Sequence, residues 1–128
     1  MSTNDQTCSI AQLKDQIRQF VQERDWEQFH TPKDLAIGLS IEAAELLEHF
    51  RFQSEADTHA RLCDDASLKE ISHELADILY FVLLMCDRFG IDTAAALEEK
   101  LKISAQRYPI AKARGNNRKY TELERDEE

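Results

Sequence analysis

Ile41-Glu42-Ala43-Ala44-Glu45-Leu46-Leu47-Glu48 and Ser72-His73-Glu74-Leu75-Ala76-Asp77-Ile78-Leu79 each set two acidic residues three positions apart inside a strongly apolar helical pattern. At about 100° per residue, the members of each pair lie about 60° apart on one side of their helix, one turn along, so their side chains can converge. Four carboxylates beside a packed helix seam repel one another unless a cation sits between them. Clustered hard oxygen ligands suit Mg²⁺ or Mn²⁺, ions that in turn hold phosphate oxygens. The pattern predicts a metal-dependent nucleotide site on two neighbouring helices.

The first stretch belongs to a helix that opens with Thr31 as N-cap, Pro32 in the first turn and Asp34 near the positive end. Leu35, Leu39, Ala43, Leu46 and Phe50 form its expected buried stripe, so Glu42 and Glu45, each one residue ahead of a stripe position, flank the core. For the second stretch, Ser67 with Glu70 makes a capping box and Gly90 a stop. Ile71, Leu75, Ile78, Val82, Met85, Cys86 and Phe89 keep one apolar row there, and Leu79, Leu83 and Leu84 widen it almost all the way round. Such a helix in a small domain needs extra cover, which a symmetric oligomer supplies.

Upstream, Ser9 and Gln12 form another capping box ahead of Ile10, Leu13, Ile17, Phe20 and Val21, predicting a helix to about Arg24. Downstream, Asp92 or Thr93 caps a fourth helix carrying Leu97 and Leu101 as far as Pro109. Residues 53–66 are polar and lose the period, which reads as a loop with room for a short helical turn, able to form a lid. The expectation is an all-α four-helix bundle completed by oligomerisation. It comprises a flexible N-terminus over 1–8, a helical domain over 9–109 and a C-terminal extension over 110–128 whose end, from Glu122, is disordered.

A chain of 128 residues suits one domain, and 42% apolar residues with only 3 Gly and 2 Pro suit a helical one. The net charge of −9 argues against a nucleic-acid surface, which needs clustered Lys and Arg. Cys8, Cys63 and Cys86 are odd in number and lack metal-ligand spacing, so reduced thiols are expected. Neither a leader pattern nor a membrane-length apolar run is present, and the expected location is cytoplasmic. There is no Gly-x-Ser-x-Gly elbow, Walker loop or dinucleotide fingerprint. Glu70-Ile71-Ser72-His73 has the Glu-x-x-His form of di-iron bundles, but those use two such motifs and this chain has one. In the connection from Arg24 to Pro32, Trp26 either stacks a nucleobase or plugs the bundle end with Phe29. The basic segment from Ala111 to Tyr120 either folds over a phosphate or is a solvated tail.

Glu42-x-x-Glu45, an interval of 28 residues and Glu74-x-x-Asp77 together resemble the signature of the all-α nucleoside triphosphate pyrophosphohydrolases of the MazG type. The resemblance extends to their dCTP pyrophosphatase branch through Arg24-Asp25-Trp26-Glu27-Gln28-Phe29-His30-x-Pro32, Arg107-Tyr108-Pro109 and Arg118-Lys119-Tyr120-Thr121-Glu122-Leu123. It covers the chain from about Leu13 to Leu123 and implies a MazG-like bundle in which Glu42, Glu45, Glu74 and Asp77 bind Mg²⁺, with Mn²⁺ as a substitute. It further implies that Trp26 faces the base and that Lys100 and Arg107 contact the triphosphate. Phe52, Phe81, Lys119 and Tyr120 complete the implied substrate set. The branch's base-pocket His falls at Ile17, a Trp at Phe52, a Tyr at Phe81 and an Asn near the phosphates at Ser104. The aromatic exchanges keep a stacking surface, whereas the other two remove hydrogen-bonding groups.

The implied reaction is dNTP plus water giving dNMP and diphosphate by attack at the α-phosphorus, with Glu45, beside Glu42, orienting or deprotonating the water. The implied substrate is dCTP or a modified dCTP, in nucleotide-pool sanitation, and the implied assembly is a homodimer or a homotetramer. A broad-specificity dNTP pyrophosphatase is the alternative enzyme. A helical interaction module whose acidic rows are merely soluble faces is the non-enzymatic one.

Overall fold

The structure, a computed structural model, describes residues 2–125. Among them every regular element is helical: α1 (Ile10–Glu23), α2 (Pro32–Glu48), α3 (Glu55–Cys63), α4 (Asp65–Phe89), α5 (Thr93–Arg107), α6 (Ile110–Ala113) and α7 (Tyr120–Glu124), with a 3-10 turn at Glu27–Phe29. The all-α expectation therefore holds. The described residues up to Ile91 and those from Asp92 onward form two compact units, so α1 to α4 lie in the first and α5 to α7 in the second.

Local chemistry sets most boundaries. The Gln12 N–H donates to Ser9 Oγ (3.2 Å) while the Ser9 N–H donates to Gln12 Oε1 (2.7 Å), closing the capping box of α1. The Asp34 N–H donates to Thr31 Oγ1 (3.2 Å) at the head of α2. Gly90, at φ +69°, ends α4 in the left-handed conformation, and the Ile91 N–H returns to the Cys86 carbonyl at 2.8 Å. Asp92 caps α5 by accepting from the Ala95 N–H at 2.9 Å.

Three expectations about local structure need correction. The stretch read as a loop over 53–66 contains the nine-residue helix α3, opened by a capping box of Ser54 and Asp57. That box was visible as Ser54-x-x-Asp57, but without an apolar stripe behind it the period gave no helix. The N-cap of α4 is Asp64, which accepts from the Ser67 N–H at 2.9 Å, so Ser67 lies inside the first turn and is not itself the cap. In the C-terminal extension, Tyr120–Glu124 is helical and Leu123 is buried, although 122–128 were expected to be disordered; residues 126–128 lie outside the described residues.

In the first unit α4 is the element on which α1, α2 and α3 all pack, most extensively α2. Val21, Leu35 and Leu84 form the buried centre, with Ile17, Tyr80, Phe81 and Met85 against it. Burying a side chain of that kind stabilises by ~1.5–3 kcal/mol. The inner row of α4 differs from the expected one, since Leu83 and Leu84 are fully buried while Leu75 is 52% exposed.

Helices α2 and α4 approach closely at Gly38, where an added Cβ would stand 2.5 Å from a ring carbon of Phe81. Gly38→Ala gains ~1 kcal/mol in helix propensity but drives Phe81 into packed neighbours at ~1–3 kcal/mol. We expect a net loss read as a lower urea midpoint, and an unchanged midpoint would show that the ring moves freely.

Arg18 ties α1 to α4 through two hydrogen bonds to the Asp87 carboxylate, one of them Nε to Oδ2 at 3.1 Å, and Lys14 Nζ donates to the Ile91 carbonyl at 2.8 Å. The Arg18 hydrogen bond is the main reason that the Asp87 carboxyl titrates below its ordinary 3.8. Because the folded value is the lower one, the pair stabilises above about pH 3.8 and its contribution fades as pH falls through the depressed value. Asp87→Asn should lower the melting temperature by ~3 °C at pH 7, and the difference from the parent should narrow progressively on acidification below pH 3.8. A gap independent of pH would remove the ion pair as its cause.

Candidate active site

The inner face of α2 runs Leu35, Gly38, Leu39, Glu42, Leu46, His49, all buried or half-buried, whereas Ala43 is exposed. Glu42 thus occupies a position on the core-facing stripe and does not flank it, which corrects the expectation. On α4 the corresponding row is Ile71, Glu74, Ile78, Phe81. Glu42 and Glu74 therefore meet across the principal helix interface, and Glu45 completes the group: ligand oxygens of the three lie within 4.8 Å of one another.

Asp77, one turn beyond Glu74, is exposed and stands outside that close set. Its charge nonetheless reaches Glu42. Burial first, then hydrogen bonding and charge from Glu45, then Asp77 and Glu74, push the Glu42 carboxyl above its ordinary value of 4.5. Glu42 Oε2 and Glu74 Oε2 are both buried with no hydrogen-bond partner among the described residues. A buried carboxylate oxygen without a donor is costly, and two of them facing a third acid are the arrangement a divalent cation satisfies. The donor set is all oxygen and hard, which fits Mg²⁺ or Mn²⁺. A solvated acidic face would not bury such orphan oxygens. Glu70 and His73, the di-iron alternative, are both exposed and join no such group among the described residues.

His49 is a residue of this site that spacing did not single out. It is the C-cap of α2, and its Nε2 stands 3.5 Å from Glu74 Oε1. The clue was its position seven residues after Glu42 and four after Glu45, hence on their face of the helix.

The aromatic residues form a second feature of the first unit. Trp26 meets Phe20 edge to face (centroids 5.7 Å), Phe20 meets Tyr80 (6.3 Å) and Tyr80 meets Phe81 (5.2 Å). Trp26 keeps 41% of its surface exposed. The Arg24 guanidinium lies 3.7 Å from the centre of the Phe20 ring. Gln16, Ile17, Phe20 and Tyr80 line a recess of about 290 Å³. Phe81 is half-buried against Gly38, and Phe52 is 94% exposed at φ +58°, a left-handed conformation costly for a side chain with a Cβ. His30 is held below its ordinary pKa, chiefly by burial and then by the charge of Arg88. In the second unit Lys100 and Lys119 are exposed, Arg107 lies 4.9 Å over the Tyr120 ring and Tyr108 packs edge to face on Tyr120 at 6.2 Å.

Residues 37–123 match the MazG-like family. The chain belongs to that family. Among the relatives of this MazG-like chain, dCTP pyrophosphatase 1 of Rattus norvegicus is 36% identical over 107 residues, covering 84% of this chain and 63% of that protein. The Homo sapiens dCTP pyrophosphatase 1 is 35% identical over 105 residues, covering 82% and 62% respectively. The MazG-like chain thus spans a little under two thirds of the length of these relatives. The crystal structure of a pyrophosphatase from Archaeoglobus fulgidus superposes with a TM-score of 0.73 at 32% identity, covering 84% of this chain and 99% of that one. No helix among the described residues is long and apolar enough to cross a membrane.

Proposed function

We propose that the chain is a nucleoside triphosphate pyrophosphohydrolase that converts a dNTP and water into a dNMP and diphosphate, with dCTP or a modified dCTP as substrate. The observation that carries this reading is the meeting of Glu42, Glu45 and Glu74 at the α2–α4 interface with two buried, unpartnered carboxylate oxygens, in a MazG-like chain similar to dCTP pyrophosphatases. Glu42, Glu45, Glu74 and Asp77 would hold Mg²⁺, or Mn²⁺ in its place. When bound, such ions neutralise the triphosphate, make water a better nucleophile and stabilise charge on the departing diphosphate.

The protein's own groups divide the remaining work. Glu45, the exposed member of the close set, orients the attacking water and accepts its proton; Glu42, deeper and harder to ionise, serves as an anchoring ligand. Trp26, Phe52 and Phe81 supply aromatic surface for the base. Lys100, Arg107, Lys119 and Tyr120 supply donors for the phosphates. Ile17 favours the broad-specificity alternative, because it lines the recess beside Phe20 and Tyr80 and offers no hydrogen bond to a base edge.

Self-association as a homodimer or homotetramer is part of the proposal. Ile37 and Ile41 on α2 and Leu75 on α4 are each about half exposed (48%, 52% and 52%), and Ala36, Ile37, Ser40 and Ile41 border an apolar recess of about 420 Å³. A cytoplasmic location and an acidic surface without a nucleic-acid partner accompany this reading.

The test is a diphosphate-release assay with Mg²⁺ over the canonical and several modified dNTPs. Equal amounts of dNMP and diphosphate are expected, most rapidly from dCTP or a modified dCTP. Inorganic phosphate with dNDP, or no product from any dNTP, would overturn the proposal. Trp26→Ala should raise KM by ~10-fold, as expected for one lost base stack of ~1–3 kcal/mol, with kcat nearly unchanged. An unchanged KM with a lowered melting temperature would make Trp26 a structural plug of the Phe20 cluster.

A further inference from the structure

Among the described residues, Glu74 is the acid of the close set with a basic side chain against it. His49 Nε2 lies 3.5 Å from Glu74 Oε1, and His49 Nδ1 lies 3.4 Å from Arg61 Nη2. The guanidinium can only donate, so Nδ1 accepts and the ring N–H stands on Nε2, the nitrogen on the Glu74 side. Three helices are joined in this way: Arg61 from α3, His49 at the end of α2 and Glu74 from α4. Both side chains beyond Arg61 are well covered, at 15% exposure for His49 and 22% for Glu74.

From this geometry we infer that His49, braced by Arg61, is a positioning residue that fixes the Glu74 carboxylate for a divalent ion. With the imidazole 3.5 Å from Oε1, the carboxylate has less room to rotate, which leaves the buried, unpartnered Oε2 as the ligand oxygen. Helix α3 then acts as a strut behind the site. The inference rests on the proposed metal-dependent reaction.

Mn²⁺ binding, followed by the electron paramagnetic resonance signal of free Mn²⁺ in the full chain without nucleotide, separates the two. His49→Leu, which keeps bulk and loses the donor, should weaken Mn²⁺ binding ~10–100-fold. His49→Gln, which retains an N–H donor, should recover part of it. Arg61→Met should weaken binding in the same direction and add little to His49→Leu in a double-mutant cycle. In the hydrolysis assay the Mg²⁺ concentration for half-activation should rise in His49→Leu, while the rate at saturating Mg²⁺ stays near the parent's; general structural damage would depress that rate as well. Parent-like Mn²⁺ affinity in both His49→Gln and Arg61→Met, together with parent-like affinity in any folded His49→Leu, overturns the positioning role and leaves the metal site standing. A parent chain that takes up no Mn²⁺ overturns the site itself, and this inference with it.

Discussion

Glu42→Gln is expected to lower turnover about a thousand-fold, a loss of ~4 kcal/mol of transition-state stabilisation, while the chain folds as before. The amide keeps the shape of the side chain on the inner face of α2 but cannot serve as an anionic ligand. Stability without metal should not suffer. In the parent, Glu42 ionises against its burial and against Glu45, Asp77 and Glu74, which is why its carboxyl titrates above 4.5. The folded state holds this proton more tightly than the unfolded one, so the contribution of Glu42 to stability is fully present below pH 4.5 and is lost as pH rises through the elevated value. Glu42→Gln should flatten that decline and melt at or above the parent temperature near neutral pH. Circular dichroism melts across pH 4–8 beside a diphosphate-release assay read both effects. Parent-like turnover, or a collapsed fold, would remove Glu42 from the ligand set.

The second large effect concerns the ion. Chelation should reduce hydrolysis to background, and Mg²⁺ or Mn²⁺ should restore it. The same ions should raise the melting temperature of the parent, since a ligand at a hundred times its Kd stabilises by ~2.7 kcal/mol. The rise should be absent from a Glu42→Gln, Glu74→Gln double variant. Equal stabilisation of parent and double variant would place the binding elsewhere on this acidic surface.

Much of the scaffold was legible because caps and period agree. Ser9, Thr31, Asp92 and Gly90 mark element ends by chemistry confined to a few residues, and the structure places them there. Helix α3 was not legible, because its polar sequence has no apolar row and only Ser54 and Asp57 announced it. Similarly, Ser67-x-x-Glu70 satisfied the capping pattern, yet Asp64 reached the Ser67 N–H first. Two overlapping cap signals cannot be ranked from composition alone.

The site divides along the same line. The spacing of Glu42, Glu45, Glu74 and Asp77 exposed the acidic rows, and three of the four converge. What spacing could not show was depth. A helical row containing Leu35, Leu39 and Leu46 admits either Ala43 or Glu42 as its middle member, and apolar preference selects the alanine. The structure turns the glutamate inward and leaves Ala43 exposed, against the local preference for an apolar side chain. His49 and Arg61 stayed hidden for a related reason, since their partnership links three helices, one of them unrecognised.

Calorimetric titration of a non-hydrolysable dCTP analogue into the full chain, with Mg²⁺ and again with chelator, shows whether nucleotide binding depends on the ion. Binding at least ~100-fold tighter with Mg²⁺, a coupling of ~2.7 kcal/mol, is the predicted result, with the advantage lost in the Glu42→Gln, Glu74→Gln double variant. Equal affinity with and without the ion, or an advantage that survives in that variant, would contradict it.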